Sequence, residues 1–104
     1  MVDIITTKNA PAAIGSYSQA TKKHPFVFLS GQIGLCPGDA VPLKSSFEDQ
    51  VLQIIRNLQA VCQASGGDLT DIAKLTVYLT DMINYKKLNE IMIEHWPQPY
   101  PARA

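Results

Sequence analysis

Arg103 stands in a segment, WPQPYPARA (96–104), where Pro97, Pro99 and Pro101 make up three of nine residues. Each proline fixes its own φ and biases the residue before it toward extended geometry, so the arginine is carried on a stiff arm. A guanidinium is always charged, and its planar fork of donors matches a carboxylate through two parallel hydrogen bonds. A stiff approach limits the entropy lost in positioning it, which favours gripping an anion; a frayed terminal arginine is the competing account. The second chemical candidate is FLSGQ (28–32), where Ser30 and Gly31 follow an apolar run. They set a small hydroxyl beside a residue that tolerates close approach by a ligand or another backbone. An ordinary strand end explains the same spacing.

The other reactive residue types form no pattern. His24 and His95 lie far apart in sequence. They have no partner at metal-ligand spacing and read as surface or interface histidines. Asp68 and Asp71 flank a turn, where caps and turn contacts explain them better than paired-carboxylate catalysis. Cys36 and Cys62 give neither a CxxC nor a zinc spacing nor a disulfide framework, so both are expected as reduced thiols. SGQIG (30–34) matches neither phosphate-cradling glycine pattern. No metal and no cofactor are expected.

Across 104 residues, 46% are apolar and 17% charged, with a formal net charge of zero. That balance is globular, and the length suits a single domain over 1–104 with a modest core. Aromatic residues make up only 8%, and the lysines are scattered. With zero net charge, this argues against a nucleic-acid partner, since such proteins concentrate basic residues. No run approaches the ~20 apolar residues needed to cross a bilayer, and the opening MVDIITTKNA does not read as a signal peptide. A cytoplasmic protein without membrane partners is expected.

The elements that must carry these residues are legible in part. VDIITT (2–7) reads as a strand, with a candidate second around 17–22. PFVFLSGQIG (25–34) reads as a strand buried on both faces. Ser45 and Glu48 form a capping box ahead of an apolar stripe through Phe47, Val51, Ile54, Ile55, Leu58, Val61 and Cys62, halted by Ser65-Gly66-Gly67. KLTVYLT (74–80) alternates as a strand. Asp81 can cap a second helix carrying Met82, Tyr85, Leu88, Ile91 or Met92, and His95 on one side, ended by Pro97. The order is β-β-β-α-β-α and then the extended tail, an α/β (α+β) class. The strand–helix–strand unit over 25–80 is expected to bring its two strands together in parallel.

NAPAAIGSYSQA (9–20), FVFLSGQIG (26–34), LTVYLTDMINYKKLNEIM (75–92) and YPARA (100–104), in this order and with these gaps, closely resemble the reactive-intermediate deaminase A family, RidA or YjgF. The resemblance covers essentially the whole chain. It implies a mixed sheet with two helices on one face, similar to Bacillus-type chorismate mutase. It further implies a homotrimer whose sheets form an inner barrel, with sites in clefts between subunits. The implied activity is cofactor-free hydrolysis of enamine and imine acids such as 2-aminoacrylate to 2-keto acids and ammonia. Carried over by position, Arg103 would clamp the substrate carboxylate as the catalytic arginine. Tyr17 and Ser30 would line the cleft, Gly31 would offer backbone contact, and Asn89 would border it. Some family members carry labels such as endoribonuclease or translation inhibitor. A non-catalytic, carboxylate-binding or chaperone-like oligomer is the further alternative.

The family pattern continues past this arginine through two more strands, the last bearing a glutamate thought to position water and lying between the strands that match 25–31 and 74–80. This sequence matches neither. Three expectations stay open: a fragment of a longer product, a gap closed by direct pairing of the flanking strands or by another molecule's strand, or a degenerate homologue that binds without much catalysis.

Overall fold

A computed structural model describes all 104 residues. Short β-rich segments pair as an antiparallel meander of β1 (Asp3–Ile5), β2 (Ala20–Lys23) and β3 (Phe26–Leu29), in that spatial order. The register sets Ile4 opposite Thr21 and Thr21 opposite Phe28. Residues directly opposite one another point to the same side, so these three side chains share one face. Successive side chains alternate, and β3 therefore turns Val27 and Leu29 inward and Phe26 and Phe28 outward. The outward pair is 65% and 62% exposed, which corrects the reading of β3 as buried on both faces. Within one chain, only one face of this sheet has a layer laid over it.

That layer is helical. In α1 (Phe47–Ala64) the stripe expected from sequence buries Val51, Ile55, Leu58, Val61 and Cys62. Its N-cap is Ser46, whose Oγ accepts from the Asp49 backbone N–H at 3.2 Å. The cap lies one residue beyond the expected Ser45–Glu48 pair, because Ser46 is the last residue with extended backbone before the helix. At the other end Gly66 takes φ +95°, while the Gly67 N–H donates to the Cys62 carbonyl at 2.9 Å. That φ lies in the left-handed region that favours glycine. A 3-10 turn at Leu69–Asp71 leads into β4 (Lys74–Leu75), and a second at Met82–Asn84, capped by Asp81, leads into α2 (Tyr85–His95).

The tail forms β5 (Ala102–Arg103), which pairs in parallel with β4, Lys74 opposite Ala102 and Leu75 opposite Arg103. The Val77 N–H extends the ladder by donating to the Ala104 carbonyl at 2.8 Å. This pairing corrects the expected topology. β3 and β4 belong to separate sheets, and the parallel strands are β4 and β5, joined through α2. Direct pairing of the 25–31 and 74–80 segments is therefore not how the fold is completed. Leu29 from one sheet and Leu75, Val77 and Leu79 from the other nonetheless pack on one cluster built from Val51, Ile55, Leu58, Leu69, Leu88, Ile91, Met92 and Trp96. Two small sheets thus share a helical layer, as an α+β fold does. Each large apolar side chain taken fully into that cluster contributes about 1.5–3 kcal/mol. The whole measures 42 × 33 × 19 Å, its thin dimension fitting two layers.

Candidate active site

Pairing with β4 fixes the backbone of Arg103, and α2 receives its side chain. Nη1 donates to the Met92 thioether sulfur at 3.1 Å and Nη2 donates to the Asn89 amide oxygen. The guanidinium carbon lies 5.7 Å over the centre of the Tyr85 ring. Tyr85, Asn89 and Met92 fall at i, i+4 and i+7, one face of α2, which is why a single strand residue can touch all three. Asn89 and Arg103 beside the Tyr85 hydroxyl hold its titration below the usual tyrosine value.

Arg103 is half-buried and takes part in no ion pair. The ion pairs of the chain are Lys87 with Glu48 at 3.9 Å and His95 with Glu94 at 3.8 Å. A guanidinium carries five N–H groups. Asn89 and Met92 engage two of them. A partly desolvated cation whose neighbours are an amide, a thioether and an aromatic ring has the chemistry to accept an anion.

Tyr17, Ser30 and Gly31 gather elsewhere. Ser30 Oγ donates to the Ser18 carbonyl at 2.6 Å and the Ser30 N–H donates to the Gln19 carbonyl at 3.0 Å, tying the end of β3 to the 17–19 segment. The Tyr17 hydroxyl accepts from the Ile14 N–H at 3.3 Å, with half of the residue exposed. Tyr17 and Gly31 line a small hollow of about 70 Å³ with Ile14, Gln32 and Ile33. Tyr17 also lines a larger one of about 540 Å³ with Thr7, Lys8 and Ser18. A side chain at Gly31 would meet nothing within 4 Å, so its surroundings in this chain are open. Neither hollow includes Arg103 or Asn89. The five residues singled out from sequence thus fall into two groups, Arg103 with Asn89 and Tyr17 with Ser30 and Gly31.

Two buried amides hold the loops around the second group, and sequence spacing singles out neither. Gln19 Nε2 donates to the carbonyls of Thr7, Ala10 and Pro11 at 3.0, 3.3 and 2.8 Å, while its Oε1 accepts from the Thr7 N–H at 2.7 Å. Asn57, fully buried on α1, donates to the Ile33 and Leu35 carbonyls at 3.3 and 2.8 Å and accepts from Gln53 at 2.9 Å. The available signal is an amide set on an apolar stripe between Ile55 and Leu58, where polar side chains are rarely buried without partners. Helical periodicity places Tyr85 and Met92 on the right helix but gives them no part beside Arg103.

His95 acquires neighbours that sequence spacing does not show, since ligand atoms of Glu48, Glu94 and His95 lie within 4.8 Å of one another. The Lys87 ammonium already pairs with Glu48 there. No helix is long and apolar enough to cross a membrane.

A family model described as Endoribonuclease L-PSP matches residues 7–104. Reactive Intermediate Deaminase A, chloroplastic, of Arabidopsis thaliana is 41% identical over 98% of this chain, which spans 54%, about half, of that protein. The human 2-iminobutanoate/2-iminopropanoate deaminase is 35% identical, over 97% of this chain and 74% of its own length. Among solved structures, RidA from an Antarctic Psychrobacter bacterium has a TM-score of 0.92 at 42% identity, covering 98% of this chain and 82% of that one.

Proposed function

The chain belongs to the Endoribonuclease L-PSP family, the RidA group, and on that premise we propose that it hydrolyses small imino acids to 2-keto acids and ammonia. The observation that carries this reading is Arg103, half-buried, held on three sides and free of any carboxylate of its own chain. A 2-imino acid presents a carboxylate to the guanidinium fork and, one bond away, an electrophilic C=N carbon. Anchoring the first orients the second, which is most of what so activated a substrate needs. Water adds to the imine carbon and its proton passes to nitrogen. The resulting carbinolamine then collapses, its hydroxyl proton passing to the amine nitrogen as C=O forms, the C–N bond breaks and ammonia leaves. Donors around the adduct stabilise the charge that develops during addition. An enamine such as 2-aminoacrylate enters after protonation at its terminal carbon.

The site is completed, in this proposal, by a neighbouring copy in a homotrimer, whose Tyr17, Ser30 and Gly31 meet Arg103 and Asn89 across a cleft. Ile4, Phe26 and Phe28 support that reading, being 59%, 65% and 62% exposed on a sheet face that nothing covers within one chain, as does Tyr78 beyond β4, 91% exposed. A second reading, a carboxylate-binding oligomer with little turnover, is favoured by the absence of any acidic side chain among Arg103's partners. An RNA-directed role gains nothing from a chain of zero net charge.

Added to a serine or threonine dehydratase reaction, the wild-type protein is expected to accelerate 2-keto acid release, and Arg103→Ala is expected to abolish the acceleration. Equal behaviour of the two proteins would remove the enzymatic reading. Calorimetric binding of a keto acid without any acceleration would select the binding-only one.

A further inference from the structure

Tyr85 has no task in the hydrolysis described above, yet its position is specific. The residue is 48% exposed, and its ring does not belong to the helical core. What lies over the ring is the Arg103 guanidinium, its carbon 5.7 Å from the ring centre. Met92 and Asn89 hold Nη1 and Nη2 respectively. A planar group pinned at two atoms can still rock about the line joining them. The quadrupole of a ring at this distance attracts the cation and favours one setting of it.

We propose that Tyr85 is a positioning residue for Arg103, fixing the plane in which the guanidinium meets a substrate carboxylate. The inference rests on Arg103 being the carboxylate anchor and extends it. Two parallel hydrogen bonds require the fork and the carboxylate to be coplanar, so a rocking guanidinium makes one good bond where a held one makes two. The aromatic face performs this role, and the hydroxyl is dispensable to it. Phenylalanine is therefore a full substitute and leucine is not.

Two measurements on the full chain test the proposal. In the ligand-free protein, the Arg103 side-chain NMR signal is expected at a ring-shifted position in wild type and Tyr85→Phe. In Tyr85→Leu it should move to that of a free arginine. A wild-type signal at the free position overturns the proposal whether or not any acid binds. In calorimetry with 2-oxobutanoate as probe, Tyr85→Leu is expected to weaken binding roughly 2- to 5-fold, the range of an exposed cation–π contact. Tyr85→Phe should match wild type, and Tyr85→Leu placed on Arg103→Lys should add less than about 1.5-fold, because lysine has no plane to fix. Equal loss in the Phe and Leu variants, or an undiminished loss on Arg103→Lys, overturns the role assigned to the ring. A wild type that binds no 2-oxobutanoate counts against the carboxylate reading alone, since the NMR measurement decides Tyr85 without ligand. The residue is half exposed, so both variants should fold, which thermal melts will confirm.

Discussion

At the scale of single residues, buried amides decide how well the loops around Tyr17 and Gly31 are held. Asn57 has no solvent exposure and satisfies two carbonyls of the 33–35 segment together with the Gln53 amide. Truncation would leave these groups dry and without that partner, at about 1–3 kcal/mol for each one not rescued by water. Asn57→Ala should therefore lower unfolding stability by about 2–4 kcal/mol in urea melts, far beyond an ordinary surface change. A loss under about 1 kcal/mol would show that the loop does not depend on this clamp. Residue-level legibility follows chemistry that is local in sequence. Arg103 can be singled out because its three prolines are its neighbours in the chain. Tyr85 cannot be paired with it, since their contact exists only once β5 has docked beside β4 and met a face of α2.

Elements are legible where one face repeats. The stripe of α1 and the alternation of 74–80 survive in the fold, with Leu75, Val77 and Leu79 half-buried and Thr76, Tyr78 and Thr80 exposed. Sheet partnership is not legible, because alternation such as that of β4 says which side faces a core but not which edge meets which strand, and the unbroken apolar run of β3 does not distinguish its sides. Caps lie between these cases: two adjacent serines offer two starts for α1, and local backbone geometry chooses Ser46. The Leu69–Asp71 turn shows what a cap does. Asp68 accepts from the Leu69 N–H at 2.8 Å and from Gln59 at 3.3 Å, and Asp71 accepts from the Asp68 N–H at 2.8 Å. The hydrogen bond from Leu69, and then that from Gln59, lower the Asp68 titration below the ordinary aspartate value. A folded-state pKa below the unfolded one gives stability that is present above the unfolded value, about 3.9, and is lost as pH falls through the folded value. Asp68→Asn keeps a capping oxygen but no charge. Wild type should melt above this variant at pH 7, and the gap should close on acidification below about pH 4. A gap of the same size at pH 3 and pH 7 would mean the charge contributes nothing.

At the scale of the whole molecule, one chain exposes more surface than its mass calls for. Its accessible surface is 7086 Å² for a mass of 11.4 kDa. A folded monomer of that mass is expected to expose roughly 5800 Å², which leaves a surplus of about 1300 Å². Its radius of gyration is 13.7 Å. A compact chain of this length is expected at roughly 12.9 Å, so the shape is expanded as well. Phe26, Phe28, Ile4 and Tyr78 are among the large apolar side chains that this surface exposes. The candidate site is also split, because Arg103 with Asn89 and Tyr17 with Gly31 line no common hollow in one chain. If neighbouring copies complete each other in a closed ring, each cleft takes its arginine from one chain and its tyrosine from the next. Arg103→Ala and Tyr17→Ala are then each expected to be inactive alone. Co-refolded in equal amounts and mixed at random, they should recover about one quarter of wild-type turnover, since a cleft needs an intact arginine on one side and an intact tyrosine on the other, each present with even odds. A site contained in one chain predicts no recovery at any mixing ratio. Unfolding and refolding each variant separately before mixing, so that rings form without exchange, should give none either. Recovery that appears only after co-refolding would therefore locate the chemistry between chains, and its absence would return the site to a single chain.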